Sequence, residues 1–144
     1  MKTLTLIIMA TGFSIAVSGQ DIPQSQVPSP VLNALQSKFS NAKDLEWEMS
    51  GDLYKAEFEI GRNDHDVWID KSGNIVKHRE DFPKAELPAA IRQKIETEFK
   101  DYTIDDVDKI ETDGKVFYEV DLDSRSGDRD VLFTSDGNIQ EGIN

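Results

Sequence analysis

Few residues in this chain could do chemistry. It has 144 residues, no cysteine and two histidines, His65 and His78. Without cysteine there can be no disulfide, thiolate nucleophile, iron–sulfur cluster or thiolate-bound zinc. A Ser-His-acid hydrolase needs a base beside its nucleophile. Neither histidine stands in such a context, and no Gly-x-Ser-x-Gly elbow occurs. His65 falls at a loop-to-strand junction and His78 near a strand end, so both read as ordinary surface or edge residues. Two carboxylate pairs, Glu57 with Glu59 and Glu119 with Asp121, each share a strand face. Such pairs do acid–base work only where a pocket raises one pKa. No pocket is signalled here, and the pairs read as a solvated sheet face. Asp70 to Asn74 and Thr134 to Asn138 resemble calcium loops faintly but lack the ligand spacing. Their Gly-Asn steps read instead as hairpin turns. No catalytic residue, metal ligand or cofactor is assigned. The aspartates at Asp64, Asp66, Asp70, Asp128 and Asp130 keep weak divalent-cation binding open.

Charge narrows the partners. Sixteen Lys and Arg stand against 28 Asp and Glu, a formal net charge of −12. Phosphate binding needs clustered cations, so nucleic acid is excluded as a partner. An anionic membrane surface is disfavoured for the same reason. Hydrophobic residues make up 38% of the chain, enough for a packed core.

The first 19 residues read as an address. Lys2 gives a positive start, Leu4 to Val17 is mostly apolar, and Val17-Ser18-Gly19 offers small residues before a cut at Gln20. The run is short and interrupted for a span, which needs about 20 apolar residues. A secretory signal peptide at 1–19 is therefore expected, with the mature chain periplasmic or secreted and not inserted in a membrane.

The remainder repeats itself. Pro28, Val31, Leu35 and Phe39 recur 60 positions later as Pro88, Ile91, Ile95 and Phe99. Glu57-Phe58-Glu59-Ile60 recurs as Glu119-Val120-Asp121-Leu122, offset 62. Asp66-Val67-Trp68-Ile69 and Ser72-Gly73-Asn74-Ile75 recur as Asp130-Val131-Leu132-Phe133 and Asp136-Gly137-Asn138-Ile139, offset 64. The two steps in offset read as loop insertions, one before the second strand and one before the third. A tandem repeat follows, with repeat 1 at 28–82, a linker over Phe82–Glu86 and repeat 2 at 87–144. Residues 20–27 show no periodicity and read as a flexible leader.

Each unit reads as one helix and about four strands. Val31, Leu35 and Phe39 form an i, i+4, i+8 stripe, and the prolines suit a helix start. Trp47 alternates with Glu46 and Glu48 and reads as core. Tyr54, Ala56, Phe58 and Ile60 alternate with Lys55, Glu57 and Glu59. Asp106 to Glu111 alternates poorly, and a bulge or shifted register is expected there. Strands wet on one face belong to antiparallel sheets covered on the other. The fold class is α+β, two αββββ repeats whose sheet has helices on one face and an open second face. By parity Trp68, Phe117, Leu53 and Leu132 point to that open face, beside Glu57, Glu59, Glu119 and Asp121. Aromatic anchors within a charged rim form the pattern of a protein interface. A parity slipped by one residue, or packing of Trp68 between the units, stays open as the alternative.

With the signal, the paired Pro-initiated helices, the Tyr-x-x-x-Phe strand and the Asp-Val-x then Gly-Asn-Ile hairpins, residues 28–144 resemble the PepSY-like, β-lactamase-inhibitor-like periplasmic proteins. The resemblance implies tandem αββββ units, helices on one side and a concave open side used to grip a protein. The disulfides of the inhibitor proteins are missing. The expectation is a secreted or periplasmic non-enzymatic module binding a protein or envelope peptide of basic surface, with hydrolase inhibition as its sharper form. The alternative is an acidic divalent-cation-binding envelope protein.

Overall fold

The computed structural model describes residues 19–141. The hydrophobic run of the expected signal peptide lies outside the described residues, as do 142–144. The described chain forms one antiparallel sheet of nine strands in sequence order, with two helices. The strands are β1 (Gln20–Asp21), β2 (Lys43–Ser50), β3 (Leu53–Ile60), β4 (Asn63–Ile69), β5 (Ile75–Asp81), β6 (Thr103–Thr112), β7 (Lys115–Asp123), β8 (Arg129–Thr134) and β9 (Ile139–Gln140). The helices are α1 (Ser29–Lys38) and α2 (Ala89–Glu98).

Both helices start after a proline, Pro28 and Pro88, whose carbonyl accepts the first helical N–H bonds. Ten-residue helices are marginal alone and depend on packing. Each supplies two fully engaged residues, Val31 and Leu35 or Ile91 and Ile95. Each such burial contributes about 1.5–3 kcal/mol. The first core joins these to Trp47, Ala56, Phe58, Val67 and Ile69. The second joins Ile91 and Ile95 to Val107, Val120, Leu122, Val131 and Phe133. Val67 pairs with His78, and His78 with Glu111, four residues along β6 from Val107. The two helices therefore cover the same side of the sheet, and the other side is open.

The register corrects the reading of the insertions. Trp47 pairs with Ala56, and Val107 with Val120. Tyr54 pairs with Ile69, and Tyr118 with Phe133. The first strand of the second half is thus displaced by 60 positions and its next two strands by 64. There is one four-residue insertion, not two smaller ones. It lengthens the β6–β7 hairpin to a turn at Asp113-Gly114, where φ is 50° and 71°. Two left-handed residues in a row suit a tight hairpin.

The bulge expected in Asp106 to Glu111 lies just before it, between Ile104 and Asp106. The first half carries its own irregularity between Lys43 and Glu46, where Asp44 has φ 52°. The segment 20–27, read as a flexible leader, carries structure instead. Gln20 and Asp21 pair with Met49 and Glu48, a 3-10 turn spans Gln24–Gln26, and Val27 is buried. Its counterpart is the segment read as a linker, where a second 3-10 turn spans Lys84–Glu86 and Leu87 is buried. Two short polar turns and one apolar residue each gave no periodicity to read.

The hairpin glycines seat the helices. A Cβ on Gly73 would stand 2.7 Å from the Pro30 carbonyl oxygen, and one on Gly137 would stand 2.8 Å from that of Ala90. Both glycines have positive φ, 90° and 86°. Asp70 accepts hydrogen bonds from the Ser72 and Asn74 amides and the Asn74 side chain, at 2.8–3.0 Å. Thr134 and Asp136 serve the Asn138 amide and side chain in the second turn. These oxygens shape the turns.

Candidate binding face

Cross-strand pairing orders the open face into rows. One row runs Glu48, Lys55, Trp68, Lys77, Thr112 and Lys115. The next runs Glu46, Glu57, Asp66, Arg79, Ile110, Phe117 and Thr134. Beyond it lie Asp108, Glu119 and Leu132, then Asp106, Asp121 and Asp130. All eight residues singled out for this face stand on it, since Leu53, Glu57 and Glu59 share the parity of Lys55.

Trp68 is half-buried between two cations. Lys77 Nζ lies 4.9 Å from the indole centroid and Lys55 Nζ 5.4 Å. Lys55 also reaches Glu57, Glu48 at 3.1 Å and Asp66 at 3.6 Å. Burial pulls its pKa down, but the bonds it donates to Glu57 and Glu48 prevail and hold it above the ordinary lysine value. Burial lifts the Asp66 carboxyl above its ordinary value, against the pull of Lys55. Leu53 is half-buried, Glu57 half-buried and Glu59 exposed.

The second half differs. Phe117 and Leu132, expected as exposed anchors, are only 6% and 8% exposed and form a small cluster with Ile110. Three apolar residues on adjacent strands cover one another even without a helix above them. Glu119 and Asp121 beside them are half-buried. The countercharge for Asp108 and Glu119 comes from β5. Arg79 donates from Nε to Asp108 at 2.8 Å and approaches Glu119 at 3.6 Å. Burial raises the Asp108 carboxyl above its ordinary value even though Arg79 draws it down.

Between these regions, at one margin of the face, lies a basin of about 530 Å³. Carboxylates from five strands line it, including Glu46, Glu57, Glu59, Asp64, Asp66 and Asp108, and its lining holds one cation, Arg79. At the far end Asp105, Asp121 and Asp123 bring one oxygen each within 4.8 Å of the others. Partial desolvation and neighbouring carboxylates raise both Asp121 and Asp123.

The reading of the histidines as surface residues is overturned. His65 and His78 are 7% and 6% exposed, on the helix side, with ring nitrogens 3.0 Å apart. Burial pushes the His78 imidazole below its ordinary value. Strand parity held the signal: His65 is in phase with Val67 and Ile69, both core residues.

Known proteins locate this architecture. The chain resembles a DUF2874 family protein from Bacteroides uniformis, with TM-score 0.72 and 22% identity over 79% of this chain and 86% of that one. A protein from Bacteroides eggerthii, described as a putative periplasmic protein, gives TM-score 0.72 and 22% identity over 80% and 86%. A BLIP-like protein from Bacteroides fragilis gives 0.68 and 22% over 83% and 85%. These likenesses establish the fold. No curated protein matches the chain. The model of the family described as "Putative beta-lactamase-inhibitor-like, PepSY-like" matches twice, over residues 14–77 and 52–141, and the chain belongs to that family.

Proposed function

We propose that this chain is a non-enzymatic binding module of the cell envelope, periplasmic or secreted, that grips a protein or peptide of basic surface through its open sheet face. The observation carrying this reading is Trp68, a half-buried indole on the open face held between Lys55 and Lys77 beside a basin walled by carboxylates. An aromatic anchor next to a strong single-sign field combines the burial that sets affinity with the steering that speeds encounter. The family name and the B. fragilis structure favour the sharper form, inhibition of a hydrolase. The localisation is supported by the apolar N-terminus and by the periplasmic description of the B. eggerthii protein. Among the described residues no helix is long and apolar enough to cross a membrane. We read the two halves as copies of one αββββ unit, supported by the repeated element order, the common register and the double family match.

The test is affinity capture from an envelope fraction by three immobilised forms: wild type, Trp68→Ala and Glu57→Lys/Glu59→Lys. The expected result is a protein of basic surface retained by the first and lost by both variants, with their circular dichroism unchanged. Equal retention by all three forms would contradict the reading.

A second reading has one observation behind it, the convergence of Asp105, Asp121 and Asp123. Oxygen-only donors suit calcium. Calorimetry with calcium separates the readings: saturable heat lost in Asp123→Asn favours a cation-binding role, and silence removes it.

A further inference from the structure

On the helix side, in the gap between the two cores, β4 and β5 bring together two imidazoles and a carboxylate. His65 is directly opposite Glu80, and His78 stands two residues before Glu80 on β5, diagonal to His65. His65 Nδ1 lies 3.0 Å from His78 Nε2 and 3.6 Å from Glu80 Oε2. One donor atom from each of the three residues lies within 4.8 Å of the other two. We propose that His65, His78 and Glu80 form a binding site for a divalent transition-metal ion of the zinc, nickel or copper class.

The donor spacing fits such an ion. Metal–nitrogen distances of about 2.0–2.1 Å in a tetrahedral shell set neighbouring donors roughly 3.3 Å apart. The two measured separations bracket that value. Two nitrogens and one oxygen suit borderline transition metals, whereas calcium and magnesium want oxygen alone. Both imidazoles are more than nine-tenths buried, so solvation cannot be what keeps them there. Their walls are apolar: the Phe58 ring is parallel to His65 at 5.3 Å, and Phe39 meets His78 edge-on at 5.0 Å. The position itself does not demand histidine, because the next residues of β4 in phase with His65 are Val67 and Ile69.

The surroundings support and orient the donors. Lys109 Nζ lies 3.3 Å from Glu80 Oε1, which leaves Oε2 turned toward His65. Lys109 in turn pairs with Glu111 at 2.8 Å. Such outer partners hold ligands in place. Two routes lead in. His65 borders the acidic basin, and His78 borders a second cavity of about 340 Å³ with Lys38, Glu111 and Thr112. A carboxylate-lined mouth concentrates cations. Without metal, the rings lie within 11° of parallel with centroids 5.3 Å apart, so one ring's N–H points in plane at the other's lone pair. An entering ion takes the place of that proton, which moves to the far nitrogen of its own ring. Three protein donors leave a fourth position for water or a partner's side chain.

The test uses the full chain without a histidine tag, titrated with cobalt(II) and then zinc in excess calcium and magnesium. The expected result is one cobalt per chain with the strong visible absorption of a four-coordinate ion, erased by zinc. Glu80→Gln, at a residue 23% exposed, should fold and bind about tenfold more weakly. His78→Gln should abolish the absorption. If a histidine variant fails to fold, Glu80→Gln decides. No saturable absorption in the wild type, or binding unchanged in folded Glu80→Gln, would overturn the proposal.

Discussion

The open face of the first half and that of the second solve the same problem with opposite chemistry. At positions equated by register, Leu53, Lys55 and Trp68 in the first half correspond to Phe117, Glu119 and Leu132 in the second. The first half sets a cation of its own among its carboxylates, Lys55 against Glu48, Glu57 and Asp66. The same lysine stands over Trp68, which is half-buried. The second half has a carboxylate where that lysine would be. It takes its cation from Arg79 on the last strand of the first half and seals its apolar residues into a cluster. A half-buried aromatic between cations is therefore a property of the first half, while the apolar residues of the second half are closed over among carboxylates.

Phe117→Ala should expose this contrast most strongly. Removing a ring buried to 6% exposure should cost about 3–4 kcal/mol in urea unfolding, against about 1 kcal/mol for Leu53→Ala at the matching, half-buried place. Equal losses would mean that the two halves are covered alike. The hairpin glycines should behave the same way in both halves. Gly73→Ala and Gly137→Ala each combine a left-handed backbone with a carbonyl under 3 Å away. Each should lose about 2–3 kcal/mol. A variant that kept wild-type stability would show that its helix does not rest on the turn.

Arg79→Gln should destabilise by about 1–2 kcal/mol, since Asp108 loses its partner while remaining mostly buried. The loss is smaller than for a fully buried pair because solvent reaches Arg79, which is 42% exposed. The loss should shrink in high salt less than that of Lys94→Gln on α2, whose pair with Glu98 is an exposed i, i+4 bridge. The smallest effect concerns pH. Asp66 and Asp108 both titrate above the ordinary 3.8 in the folded chain. Each then binds a proton more readily folded than unfolded, so its contribution to stability rises as pH falls through the folded value toward 3.8. Asp108→Asn should flatten that part of the thermal-melting profile, read between neutral pH and pH 4. A steeper profile in the variant would reverse the sign.

Much of this was legible in the residues. Alternation in β3 and β7 named both faces, and the Val31, Leu35 and Phe39 stripe named the lid. Parity also placed all eight candidate residues on one side. Exposure was not legible, because Phe117 is covered by Ile110 and Leu132 from neighbouring strands, and cross-strand register is invisible in a linear pattern. For the same reason the offset of 62 was wrong by two. A slip of two residues keeps every side chain on its face, so hydrophobic patterning cannot detect it. The histidines are inward because His65 shares the phase of Val67 and Ile69, although a polar residue type suggests a surface position. Gln20 to Val27 was missed because an edge strand of two residues and a single buried valine carry no period.

The central claim is that Trp68 is where a partner docks. The direct measurement is calorimetric affinity of a captured partner for wild type, Trp68→Ala and, as control, Leu132→Ala, with folding verified for each. Trp68→Ala should weaken binding by about 2 kcal/mol, roughly thirtyfold, while folded Leu132→Ala stays near wild type. Unchanged affinity in a folded Trp68→Ala protein would contradict the account.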